Sequence, residues 1–396
     1  MKALLFRLVG LYRRVSLLIL RVRGRTPEEH HAARIVSGRC WDEFCDALKA
    51  AGAAVAMGGT PKDPLTQAEG YRYLTRLLRG GLEAFLEFGD PAYPELRRTV
   101  HETVKIGADN PDNSYYNATI SGAYRYRITG NRGTVRRLSL HTQRGSYGSS
   151  GGLQPAGQLD GDSLDLDEQG NFMVIASIER PGQPAVNWLP MTDDTTLFMV
   201  RQTFGDRANE EEAVIRIERI GDAVPPRELS AEFIDQALAG VSAFVAGTAA
   251  IFTRWSIGFA KHENELPRFD EKRSTSFGGD PEIVYYHSAW RLEPDSALVI
   301  DAVIPECDYW NFQVDNFWME SLDYRYYRIH INDRNAVLND DGTVTIVVSH
   351  RDPGHSNWLT TAGHGFGTMC FRWIRPREAP PPQPRTRVVP LSELDT

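Results

Sequence analysis

The chain has 396 residues, 41% of them hydrophobic and 24% charged, the proportions of a globular protein with roughly two or three core-forming units. A formal net charge of −8 argues against a general nucleic-acid binder, because phosphate contacts need a basic face. No zinc-finger spacing, glycine-rich phosphate loop or nucleophile elbow occurs, and Cys40, Cys45, Cys307 and Cys370 match no metal or redox spacing, so they are expected to be free thiols.

Residues 1–27 carry Lys2, Arg7, Arg13, Arg14, Arg21, Arg23 and Arg25 among leucines, with no acidic residue. Arg7, Arg14 and Arg21 recur at a spacing that puts them on one helical stripe. The uncharged run Val15 to Leu20 is too short to span a bilayer. A basic amphipathic helix on an anionic membrane surface is expected, which would make the protein cytoplasmic and peripheral on the inner membrane. The alternative is a helix packed on the protein's own core or in an oligomer contact.

Residues 28–110 read as a helical region. One helix runs over 28–57 and is broken by Gly58-Gly59-Thr60-Pro61. The next starts at the capping-box pattern Thr66 to Glu69, buries Leu74, Leu78 and Leu82, and stops at Gly89-Asp90-Pro91. His30 and His31 are adjacent, so on a helix they diverge and read as a solvated linker. A first β unit follows over 111–222, with strands at 114–120, 123–128, 135–142, 196–203 and 213–219 and a Gly/Ser loop at 145–152.

A long apolar helix fills 228–262, with Ser230 as its N-cap. Its uncharged stretch from Gln236 to Thr253 approaches membrane-span length, but its Ala/Gly-rich composition and its place before a β unit favour a core-facing helix. A second β unit occupies 280–376, with strands at 297–303, 309–316, 324–331, 343–349 and 368–373. The tail 377–396 is proline-rich and reads as an extended arm.

The two β units share a signature. Gly170 leads to Ser177, then Pro181-Gly182 and Asn187-Trp188-Leu189; Gly342 leads to Ser349, then Pro353-Gly354 and Asn357-Trp358-Leu359. An arginine follows each copy, Arg201 and Arg372, and Tyr115-Tyr116 has its counterpart in Tyr285-Tyr286. The fold expected is α+β, mainly β: internally duplicated units of helix plus antiparallel sheet, sandwich-like or jelly-roll-like.

Over roughly 280–376, Tyr309-Trp-Asn-Phe-Gln, Asp323-Tyr324, Asp341-Gly342, Asp352-Pro-Gly354, Asn357-Trp-Leu359, Gly363, Gly367 and Arg372-Trp373 resemble the bacterial domain-of-unknown-function 1214 family. The resemblance implies a largely β domain and brings no catalytic residues with it.

Positions shared by both copies are expected to be scaffold: the serines, the Pro-Gly turns, the Asn-Trp-Leu segments and the arginines. Function is sought where the copies differ. The second copy adds His350, Asp352, His355 and His364. A histidine beside a carboxylate suits acid–base work, so His350, Asp352 and His355 are the candidate catalytic set. The aromatic–acidic stretch Asp315, Trp318, Glu320, Asp323 and Tyr324, with His287 and His364, is the candidate substrate-binding set, because rings stack on apolar faces while carboxylates hold hydroxyls. No cofactor and no dedicated metal ligand set is assigned.

The leading expectation is a membrane-surface enzyme acting without a redox cofactor on a lipid-like or glycosylated small molecule. A non-catalytic ligand-binding or scaffold protein and a metal-dependent hydrolase stand as alternatives. Nucleic acid is not an expected partner; self-association is left open. For each of these site residues the bland reading, a polar group fixing a turn or a solvated sheet face, stands beside the functional one.

Overall fold

The computed structural model describes residues 26–148, 152–182, 187–222 and 225–394, so the basic segment 1–27 lies, but for its last two residues, outside the described residues. The helices are α1 (Pro27–Val36), α2 (Arg39–Ala51), α3 (Pro64–Leu82), α4 (Ala231–Phe259) and the short α5 (Glu271–Thr275). The helix expected over 28–57 is two helices, parted at Gly38, whose φ of +75° a β-carbon would oppose. Helix α3 starts before the expected capping box: Asp63 is the N-cap, Pro64 opens the helix, and the Thr66 N–H donates to Asp63 Oδ1 at 2.9 Å. Ser230 caps α4 as expected, accepting from the Phe233 N–H.

By length and composition α4 could cross a membrane. Here it packs against α1, α2 and α3 and buries Val241, Val245, Ala249 and Phe252. His31 is not on a solvated linker: its Nδ1 lies 2.7 Å from Asp235 Oδ2 on α4, a carboxylate that also accepts from Arg34.

The first β unit comprises β1 (Arg97–Val100), β2 (Asn113–Thr119), β3 (Arg125–Asn131), β4 (Arg137–Gly145), β5 (Leu153–Asp160), β6 (Asn171–Ser177), β7 (Asn187–Pro190), β8 (Thr195–Thr203) and β9 (Val214–Ile220). It is a sandwich of two sheets, β1-β2-β8-β4-β5 and β7-β6-β3-β9. Their inward side chains, including Ala118, Tyr126, Leu140, Val174 and Val200, form one core.

The second unit comprises β10 (Ile283–Arg291), β11 (Ser296–Ala302), β12 (Tyr309–Asp315), β13 (His330–Asn332), β14 (Val344–Ser349), β15 (Trp358–Thr360), β16 (Phe366–Ile374) and β17 (Arg385–Pro390). Its sheets run β10-β16-β12-β13 and β15-β14-β11-β17. Apart from β1 the strand orders of the two units are the same, position for position, and the β6–β7 and β14–β15 pairs are both parallel. The proline-rich tail is not a free arm: β17 pairs antiparallel with β11 along Arg385 to Pro390.

The repeated side chains do the same work twice. Asn187 accepts from the Asp165 N–H and donates to the Asp165 and Met173 carbonyls; Asn357 accepts from the Val337 N–H and donates to the Val337 and Thr345 carbonyls. Ser177 and Ser349 each donate to the carbonyl two residues on, both at 2.7 Å. Each indole N–H, of Trp188 and Trp358, donates back to the serine of its own copy. These bonds satisfy loop backbone that would otherwise be buried unpaired.

Candidate ligand cavity

Side chains alternate across a strand. In β2, Tyr116 and Ala118 turn toward the first core, so Tyr115 and Asn117 turn away; in β8, Phe198 and Val200 turn in, so Met199 and Arg201 turn away. The second sandwich repeats this. Tyr286, Trp290, Met369 and Phe371 turn in, leaving Tyr285, His287, Cys370 and Arg372 outside its core. These two outward faces, α4 and the turn at 274–279 enclose a cavity of about 560 Å³. Phe85, Tyr147, Phe244, Phe252, Trp255 and Phe277 supply much of its apolar wall. Such a space suits one small ligand, held by apolar area and oriented by a few polar groups.

The polar groups come in pairs related by the duplication: Tyr115 with Tyr285, Asn117 with His287, and Arg201 with Arg372, all on the cavity wall. Asn117 Oδ1 and His287 Nδ1, at matched positions, are buried without a hydrogen-bond partner. Each arginine reaches across to the segment that leads into the other sandwich. Arg201 Nη2 donates to the Gly278 carbonyl and Arg372 Nη2 to that of Ala108. Arg137 binds Asp280 and Glu282; at the matched position Tyr309 donates to Asp112 at 2.6 Å. Contacts given in both directions are the mark of an isologous pair, here within one chain.

The two arginines differ in their neighbours. Arg201 donates to His141 Nε2 at 3.2 Å and lies 3.9 Å from Asp280 Oδ2. Burial disfavours the charge on Asp280, yet His141 and the Arg137 and Arg201 guanidiniums hold its pKa at about 2. Arg372, 4% exposed, donates instead to neutral oxygens, Gln313 Oε1 at 2.6 Å and Asn311 Oδ1 at 3.3 Å. Among the described residues no carboxylate makes an ion pair with it.

The acidic groups whose fields reach Arg372 are the Cys370 thiol, the Tyr115 and Tyr285 phenols and the Asp315 carboxyl; burial raises Asp315 to about 8, which favours its protonated form at neutral pH. Asp109, also on the wall, has both oxygens turned onto Ser321. At the cavity edge Arg97 lies 4.3 Å over the Phe88 ring, with Nε and Nη1 unpartnered. The wall therefore carries three arginines and one carboxylate. A guanidinium out of water and without a counter-charge is costly to keep, and an anionic ligand would relieve that cost.

Of the candidate catalytic and substrate-binding residues named from the sequence, His287 alone lines this cavity. Burial, then the Arg372 charge, lowers its pKa to about 3, so it is a neutral imidazole, stacked between Phe259 and Tyr285. Asp315 lies beside the wall, accepting from Gln313 at 2.5 Å.

The others serve elsewhere. Trp318 packs in the helical core and donates to the Thr66 carbonyl at 2.8 Å. Glu320 accepts from Arg76 of α3 at 2.6 Å. Asp323 pairs with Arg325, and the Tyr324 ring sits 4.6 Å under Lys105. His364 Nε2 lies 3.2 Å from Glu69 of α3; burial opposes its charge, but the Glu69 hydrogen bond and charge raise its pKa overall.

His350, Asp352 and His355 are not assembled into a relay. Strand β14 ends at Ser349, so His350 and Asp352 lie beyond it, and no strand alternation sets them side by side. His350 is held by the Leu292 carbonyl and Thr361, Asp352 accepts from the Gly354 N–H at 2.8 Å, and His355 Nδ1 accepts from the Asn357 N–H at 3.1 Å. Each fixes a turn. Arg201 and Arg372, read from the sequence as scaffold, are the charged residues of the wall; their position on outward sheet faces beside repeated tyrosines was the available signal. Among the described residues no group of three or more His, Cys, Asp or Glu is placed to hold a metal ion.

The family model described as protein of unknown function DUF1214 matches residues 293–378, which span most of the second sandwich. A crystal structure of an uncharacterised protein from Burkholderia cenocepacia matches at 45% identity and TM-score 0.89, covering 92% of this chain and 100% of that one. The VPA0106 protein from Vibrio parahaemolyticus matches at 13% identity and TM-score 0.46, over 80% of this chain and 98% of its own. No curated protein matches.

Proposed function

Residues 293–378 belong to the DUF1214 family, and we propose that the chain binds a small amphipathic molecule with an anionic head group in the cavity between its two sandwiches. The single observation that carries this reading is Arg372: a buried guanidinium on the wall of an aromatic-lined cavity, satisfied only by neutral oxygens. Binding is favoured over acid–base catalysis: Asp315, raised to about 8, does not line the cavity. His287 titrates at about 3 and the buried Cys370 thiol beside it at about 12. Neither value is near the neutral range in which a general base or thiolate nucleophile works.

The proposal extends to the setting. The basic, leucine-rich segment 1–27 would bring the cavity to an anionic membrane surface, where such amphiphiles are found. Removing those residues is expected to release the protein from anionic liposomes in a sedimentation assay; unchanged co-sedimentation would end that part of the reading. For the cavity itself, calorimetric titration with dodecanoate is expected to give saturable binding, weakened at least about tenfold in Arg372→Met. Equal affinity in a folded Arg372→Met protein, or none in wild type, would count against the proposal.

A further inference from the structure

The duplication gives the cavity two matched arms, and one substitution makes them chemically unequal. The position held by Asp280 ahead of β10 is held by Asn110 ahead of β2. Their backbone roles are the same: Asp280 Oδ1 accepts from the Glu282 N–H and Asn110 Oδ1 from the Asp112 N–H, both at 3.0 Å. Their charges are not. Asp280 is an ionised carboxylate between Arg137 and Arg201, whereas Asn110 brings no charge and accepts from Asn311, which in turn accepts from Arg372. One arm thus ends at a neutralised guanidinium and the other at a guanidinium without a carboxylate partner.

We propose that the ligand is a monoanionic amphiphile bound in a single orientation, its anion at Arg372 and its uncharged end toward Arg201, and that the Asp280/Asn110 difference sets this polarity. The inference rests on the binding role proposed above and names the charge and direction of the ligand. Arg97 lies at the cavity edge over the Phe88 ring, so a molecule spanning from Arg372 to the opposite arm would place its second anion where Asp280 already answers the cation, and would lose its hydration there without return.

The test compares dodecanoate, dodecanol and dodecanedioate by calorimetric titration of the full chain. Wild type is expected to favour dodecanoate over dodecanedioate by about tenfold. Asp280→Asn is expected to erase or reverse that preference, since the second arginine is then free for an anion. Asn110→Asp, which places a carboxylate near Arg372, is expected to weaken dodecanoate by about tenfold while dodecanol is unaffected. The paired variants keep the test decisive if one of them fails to fold. Equal binding of both acids by wild type, unchanged in either folded variant, would overturn the polarity and leave the binding role standing. Binding of none of the three probes would overturn both.

Discussion

At the scale of single residues, Asp315 shows how burial turns an acid into a neutral hydrogen-bonding group. Its carboxyl lies in the second inner sheet with no exposed surface and titrates at about 8. In the unfolded chain it would ionise near ~4. Between those values the folded state holds a proton that the unfolded state has released, so this residue makes stability fall as pH rises, and above its folded pKa the full cost is present. Asp315→Asn keeps the oxygen that accepts from Gln313 and cannot ionise. Urea titrations at a series of pH values should therefore show the variant gaining on wild type from pH ~4 to ~8, by about 1.4 kcal/mol per pH unit at most. A constant difference across that range would mean that Asp315 is ionised in the fold.

At the scale of elements, the question is what docks the helices onto the second sandwich. Helix α3 does so at three points: Arg76 to Glu320, the Thr66 carbonyl to the Trp318 indole, and Glu69 to His364. The approach is close enough that a β-carbon at Gly70 would stand 2.5 Å from the Trp318 ring, which is why glycine sits mid-helix despite its entropic cost. The Arg76–Glu320 pair is buried, and removing one partner strands the other. Arg76→Ala is expected to destabilise by about 3 kcal/mol. Arg79→Ala, which removes an exposed pair with Glu83 just past the end of that helix, should cost less than about 1 kcal/mol. Equal effects in chemical denaturation would mean that the buried pair does not anchor α3.

Trp318 and Glu320, taken from the composition of their stretch as pocket lining, are instead part of this anchor. Aromatics interleaved with acids fit both uses, and only the position of α3 separates them.

At the scale of the whole molecule, the two sandwiches are joined by contacts exchanged in both directions. Arg137 sits in the Asp280–Glu282 segment while Tyr309 binds Asp112. The cavity lies between the faces so joined. Sandwiches that share buried charges should not unfold independently. Scanning calorimetry is expected to give one cooperative transition for the full chain, and Arg137→Met, which strips Asp280 and Glu282 of a common partner, is expected to split or broaden it. Two well-separated transitions in wild type would show the units to be independent.

Much of this architecture was legible in the residues. The spacing of Gly170, Ser177 and Pro181 against Gly342, Ser349 and Pro353, each followed by Asn-Trp-Leu, marked the duplication, because a loop that closes on its own backbone needs the same donors and acceptors wherever it occurs. Ser230 marked the start of α4 by the same local logic. Strands β5 and β17 were not legible: one follows a Gly/Ser loop and the other a proline run, and both exist through pairing with partners chosen by the fold.

The candidate site was legible least of all. Difference between the copies pointed to His350, Asp352 and His355, which tie loops and close turns. Likeness hid Arg201 and Arg372, which the packing of two sandwiches brings to one cavity. Local hydrogen bonding and strand alternation are written in short stretches of sequence. Which outward face meets which, and whether a buried charge finds its counter-charge there, depends on residues about 170 positions apart, and only the assembled molecule decides it.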